Sequence, residues 1–235
     1  MTKAVRAQRS DGGATYGRIL EAAGELFAST GFAETTSKMI AAQAEVDLAS
    51  INYHFGSRNS LYQAVLVEAH NRFVSVESLQ HLAASDLPAR RKLKMLIAGL
   101  VESATVDQGW HARVLSREML SPSSHLQVLL KKEFAGKIHN VLAVLAEITA
   151  IPSGDPALLR CLISVMAPCA MLLVIGRNAS PVADNVRHMP RATLVDHLYR
   201  FALGGLEAIG QERSRPRKEG IGKSGLRPPV QGEQP

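Results

Sequence analysis

Residues 35–55 read TTSKMIAAQAEVDLASINYHF, and the fold turns on how this stretch breaks. Thr36 can cap a helix, and Met39, Ile40 and Ala44 behind it give a short helix an inward face. Glu45-Val46-Asp47 interrupts that helix. A second short helix follows from about Leu48 to Phe55, in which Ile51 and Phe55, four residues apart, face inward against the first. Helix, three-residue break, helix is the pattern of a helix-turn-helix, whose second helix can enter the major groove of DNA while the first crosses the backbone. Ala49 and Ser50 are small enough to let the second helix approach base edges, and Asn52 can hydrogen-bond one. Tyr53 and His54 can reach phosphates. Thr36 and Arg58 stand at helix starts, where phosphate is favoured, and with Lys38 they complete the expected DNA contacts.

Helices flank this unit on both sides. From Thr15, the residues Ile19, Leu20, Ala23, Leu26 and Phe27 recur at helical spacing until Gly31. After Gly56-Ser57, a fourth helix runs from about Arg58 into the seventies with Leu61, Tyr62, Val65 and Leu66 on one face. Seven of the eleven aromatic residues fall between Tyr16 and Phe73, which suits a small unit that must bury much surface with few side chains. Residues 74–87 read as a helix end with a loop. Helical segments are expected at about 88–106, 109–120, 124–150, 156–176 and 191–211, separated by Gly, Pro and Ser breaks. No stretch alternates with period two, so the fold class is all-α.

The stretch from residue 15 to about 70 resembles the DNA-binding domain of the TetR family of bacterial transcriptional regulators. The resemblance rests on Ile19-Leu20-x-Ala22-Ala23-x-x-Leu26-Phe27, Gly31-Phe32-x-x-Thr35-Thr36, Ile40-Ala41-x-x-Ala44, Tyr53-His54-Phe55, and Ser57-Arg58 followed by Leu61-Tyr62. It implies a bacterial, cytoplasmic regulator: a homodimer on double-stranded DNA with a palindromic operator, most often a repressor released by a small apolar or aromatic effector. Two features depart from the family pattern. Glu45 stands where glycine is usual in the turn, so the turn is expected to find another geometry, because a side chain at positive φ costs about 1 kcal/mol. Arg58 is followed by Asn59 and Ser60 rather than an acidic residue. The formal charge of residues 15–72 is −2, unusual for a surface that must neutralise phosphates. The acids are therefore expected to face away from DNA, with Lys3, Arg6 and Arg9 of the N-terminal segment adding contacts in the minor groove.

Four regions follow: a flexible basic arm at 1–14, a DNA-binding domain at 15–73, a helical ligand-binding and dimerisation domain at 74–211, and a disordered basic tail at 212–235. The overall net charge of +6 is concentrated in the arm (+2) and in residues 211–235 (+3), so it does not by itself mark a binding face. Within the large domain, the segment REMLSPSSH from Arg117 to His125 resembles the CecR/YbiH-type subgroup. By family analogy the last two helices, 156–176 and 191–211, form the homodimer interface. The run CLISVMAPCAMLLVI (Cys161–Ile175) is apolar on every side, but at 15 residues it reads as a core or interface helix rather than a membrane span. Trp110, Arg117 and Glu118 are candidates for an effector pocket, against core packing for Trp110 and an ion pair for the other two. The histidines lack metal-ligand spacing, Cys161 and Cys169 read as inert packing, and no catalytic or cofactor-binding motif occurs, so neither an enzyme nor a cofactor is expected.

Overall fold

A computed structural model describes residues 2–106, 109–175, 181, 185–186 and 188–214; for 2–11, 124–135 and 214 it describes the backbone alone. Every regular element among them is helical: α1 (Thr2–Ser29), α2 (Ser37–Gln43), α3 (Leu48–Phe55), α4 (Arg58–Phe73), α5 (Val76–Ala84), α6 (Ala89–Thr105), α7 (Trp110–Leu120), α8 (Ser124–Thr149), α9 (Pro156–Ile175) and α10 (Arg191–Ser214). The expected tail beyond residue 214 lies outside the described residues.

Side-chain caps set the small helices. Thr36 Oγ1 accepts from Met39 N at 3.2 Å, Asp47 Oδ1 from Ser50 N at 2.7 Å, and Ser57 Oγ from Ser60 N at 3.1 Å. Each cap satisfies one of the amide groups that a helix start leaves without an intrahelical acceptor. The same device produces α5, where Ser75 Oγ accepts from Ser78 N at 3.2 Å and Leu79 is buried. This helix stands where a helix end with a loop was expected; nine residues with two leucines toward the core carry too little periodicity to stand out.

Two further expectations are corrected. The stretch read as a flexible arm is helical from Thr2, continuous with α1. Its Ala, Arg and Gln residues favour helix, and Gly12-Gly13 weakens the helix without ending it. The turn after α2 keeps the geometry that glycine would take: Glu45 sits at φ 53°. Val46 N reaches Ala41 O at 3.0 Å and Glu45 N reaches Ala42 O at 3.3 Å. These bonds form a Schellman motif, which closes the end of α2 through a left-handed residue. The motif is kept and the strain is tolerated.

One apolar core joins the helices of the described residues. Around the small helices it is built from Ile19, Phe27, Ile40, Ile51, Leu61, Val65 and Leu66, all fully buried. In the larger part it is built from Leu93, Ile97, Val101, Leu145 and Leu158. α9 spans the segment expected at about 156–176, and its 20 residues are long and apolar enough to cross a membrane. Its Ala157, Leu158, Cys161, Val165, Cys169 and Leu173 are nevertheless buried on a face packed against α6, α7, α8 and α10.

Candidate DNA-recognition surface and its attachment

α3 is gripped from behind and open in front. Ile51 and Phe55 are buried, and Tyr16 of α1 stacks on Phe55 with ring centroids 4.5 Å apart. On the opposite side Ala49 and Asn52 are exposed, and Tyr53 is 86% exposed. A tyrosine ring so open contributes nothing to the core. His54 is half-buried, edge-on to Tyr53 at 5.0 Å and to Tyr16 at 6.2 Å. Lys38 and Thr36 are exposed on and before α2. The structure thus brings Ala49, Asn52 and Tyr53 onto one face, flanked by His54.

Three expected contact residues have internal duties as well. Ser50 Oγ lies 2.5 Å from Asp47 Oδ1, and this bond with the Ser50 amide holds the Asp47 carboxyl below its ordinary range. Thr36 caps α2. Arg58 is half-buried: its Nη1 donates to Thr35 O at 2.6 Å, and its guanidinium lies 4.3 Å from the centroid of the Phe32 ring. Arg58 therefore ties the start of α4 to the α1–α2 connection. The missing acid after it is replaced by a serine pair, with the Ser57 and Ser60 hydroxyls 2.9 Å apart. Several carboxylates behind the negative domain charge also work locally: Glu25 Oε2 accepts from Gln43, Asp47 caps α3, and Glu68 pairs with Arg72 at 3.0 Å.

The three residues expected to form an effector pocket instead fasten α7 to the DNA-binding helices. Trp110 is buried against α1, so close that a Cβ on Gly24 would fall 2.3 Å from its ring. Arg117 lays its guanidinium against Gly31, whose φ of +89° suits glycine alone. Glu118 is 2% exposed. Its carboxylate accepts from Tyr62 Oη at 2.7 Å, Ser123 N at 2.7 Å and Ser123 Oγ at 2.5 Å. A carboxylate with three internal donors can stay buried, but it has little left to offer a ligand. Burial and the bond to Glu118 push the Tyr62 phenol well above its ordinary range.

Sequence reasoning missed a second polar link. Lys137 of α8 is buried, with Nζ 2.8 Å from His70 Nδ1 and 2.9 Å from Asn71 Oδ1, both near the end of α4. Burial and the Lys137 charge push His70 down to about 3, so it is neutral at pH 7. Beside this link, Phe73, Val74, Leu79, Leu82, Leu96 and Leu100 floor a cleft of about 300 Å³ between α4, α5 and α6.

Two family descriptions match the chain. "Bacterial regulatory proteins, tetR family" covers residues 19–65, and "HTH-type transcriptional dual regulator CecR, C-terminal domain" covers residues 89–206. The chain belongs to the TetR family of bacterial transcriptional regulators. TetR-family proteins are DNA-binding regulators and not enzymes, and in a helix-turn-helix it is the second helix that can enter the major groove. A comparison with curated proteins found no match. Among solved structures, a TetR-like transcriptional regulator from Rhodococcus sp. RHA1 is 21% identical, with 82% of this chain and 95% of that one covered and a TM-score of 0.59. NalD from Pseudomonas aeruginosa, described as the secondary repressor of the MexAB-OprM multidrug efflux pump, is 20% identical, with 83% and 96% covered and a TM-score of 0.62. FadR from Bacillus subtilis in complex with stearoyl-CoA is 17% identical, with 81% and 98% covered and a TM-score of 0.64. At these identities the TetR-family neighbours establish the shared fold.

Proposed function

We propose that the protein is a cytoplasmic, homodimeric repressor that leaves a palindromic operator when a small apolar or aromatic effector binds. The observation that carries this reading is the open face of α3. Ala49, Asn52 and Tyr53 point outward on a helix whose other side is locked by Ile51 and Phe55. Thr36, Lys38, His54 and Arg58 surround that face as phosphate partners, Thr36 and Arg58 with their internal bonds in place, while Ser50 keeps its hydroxyl on Asp47 and adds only its small size.

Dimerisation is supported by apolar surface that the described residues leave open. On α9, Leu159, Ile163 and Met171 are exposed at helical spacing, Ile163 by 65%. On α10, Phe201 is 73% exposed and the neighbouring Gly204-Gly205 carries no side chains that would hold a partner helix away. Two such helices from each of two copies would bury what one copy leaves open. For the effector, the cleft at the foot of α4 replaces Trp110, Arg117 and Glu118 as the proposed site. Its floor is apolar, its size is at the small end for ligand pockets, and it touches the helix that links the two parts of the chain. Two recognition helices fit successive major grooves only when they are about 34 Å apart or a multiple of it. A ligand that binds better to a dimer of the wrong spacing therefore releases DNA, by as much as its affinities for the two states differ.

Fluorescence anisotropy at about 150 mM salt, where non-specific binding is weak, tests the reading on the DNA upstream of the protein's own gene. Nanomolar binding that a scrambled duplex does not compete away, and that Tyr53→Ala abolishes in a folded protein, is the expected result. Equal micromolar binding to both duplexes, followed by failure to enrich any sequence from genomic fragments, would overturn it.

A further inference from the structure

The hydrogen bonds of α3 restrict which bases it can read. The helix, Leu48–Phe55, contains no arginine or lysine, so it lacks the side chains that make the commonest specific contact, a bidentate bond to guanine O6 and N7. Its leading edge carries Asp47, an exposed residue whose carboxyl is held below its ordinary range by its bonds to Ser50. An ionised carboxylate there repels the acceptor-rich edge of guanine. Ser50 donates its one hydroxyl proton to Asp47, so it has none for a base. What α3 offers is then short: Leu48, 42% exposed in its first turn, Ala49 beside it, and Asn52 one turn on, with Tyr53 further out. Aliphatic side chains meet the thymine methyl, and the asparagine carboxamide matches adenine N6 and N7. Leu48 and Asn52 are four residues apart, about 6 Å along the helix, against about 3.4 Å per base step. Their targets lie within about two steps of each other.

We infer that each half-site presents thymine methyl groups to Leu48 and Ala49 and an adenine edge to Asn52 within one short A·T run, with Leu48 as a specificity-determining residue. This rests on the proposed operator binding by α3.

The test is selection of the full-length protein on a randomised duplex library. Anisotropy titrations on the selected site follow, with deoxyuridine in place of thymidine or 7-deazaadenine in place of adenine. These analogues leave the protein unaltered, so they report even where a variant folds poorly. An A·T-rich half-site is expected. Each critical methyl removed should weaken binding about fourfold, and loss of adenine N7 about fivefold. Leu48→Ala should blunt the uridine effect alone, and Asn52→Ala the deazaadenine effect alone. A half-site specified by G·C pairs, or analogue effects unchanged in both variants, would overturn the inference while leaving operator binding intact. If the library enriches no sequence at all, operator binding itself falls, and this inference with it.

Discussion

The outward face of α3 and the seam where α7 meets α1 and α4 are built on opposite principles. The first leaves a tyrosine and an asparagine in water, held to the chain only through the rings and aliphatics behind them. The second buries a tryptophan against a glycine of α1 and a glutamate against a tyrosine of α4, so its contacts are fixed by shape in one place and by hydrogen bonds in the other. A surface meant for another molecule can be altered without disturbing the fold, whereas a seam cannot. The same polar residue types therefore carry different meanings in the two places.

That contrast is broken or upheld most directly by substitution on both sides. Glu118→Ala withdraws the acceptor from three donors at a buried site, each worth about 1–3 kcal/mol when its partner is removed. We expect a loss of about 3 kcal/mol or more in urea denaturation. Tyr53→Ala should move stability by about 0.5 kcal/mol at most and still abolish operator binding. Comparable stability losses in the two variants would erase the distinction.

The next effect is on pH. His70 is neutral in the folded chain down to about 3, whereas an unfolded histidine takes up its proton near pH 6.5. Below about pH 6.5 the unfolded state binds more protons, so this group progressively destabilises the fold as pH falls toward 3. Between pH 7 and pH 5 the wild type should lose about 2 kcal/mol that a His70→Gln variant keeps. Gln can still accept from Lys137. Parallel pH profiles for the two proteins would show that α8 does not hold the end of α4 as described.

Gly24→Ala probes the seam by volume alone. The new methyl would sit 2.3 Å from the Trp110 ring, and overpacking of this kind costs about 1–3 kcal/mol, partly offset by the better helix propensity of alanine. A net loss of about 1 kcal/mol is expected. Trp110 is the only tryptophan, so its emission reports the same displacement, and an unchanged spectrum with unchanged stability would mean that α1 and α7 are not in such close contact.

These residues also show why one region was legible in the sequence and the other was not. The helix-turn-helix is local: Thr36, Ile40, Ile51 and Phe55 lie within twenty residues, and their spacing alone gives helices that end where the structure ends them. Glu118 and Tyr62 are 56 residues apart, and Lys137 and His70 are 67 apart. No periodicity links such pairs, and a buried glutamate looks like any other until its partners are placed. Gly24 left a faint signal, a glycine inside a strong helical run, which often marks close approach of another element. Trp110, Arg117 and Glu118 were open to two readings for the same reason: aromatic and charged residues on an amphipathic helix fit a ligand or another helix equally well.

The smallest prediction sits where recognition and strain meet. Glu45 holds a left-handed conformation at φ 53° without being glycine, a cost of about 1 kcal/mol. Both Schellman bonds use its backbone frame and not its carboxylate. Glu45→Gly should therefore preserve the turn, relieve that strain and stabilise the protein, by somewhat less than 1 kcal/mol because glycine also frees the unfolded chain. It should leave base preference unaltered while strengthening operator binding slightly, since it removes one negative charge from the DNA-binding domain. A gain in stability with a changed preference would mean that the turn sets the angle of α3. A loss of stability would mean that the glutamate side chain holds the turn, and the division between a yielding recognition face and a rigid seam would have to be drawn elsewhere.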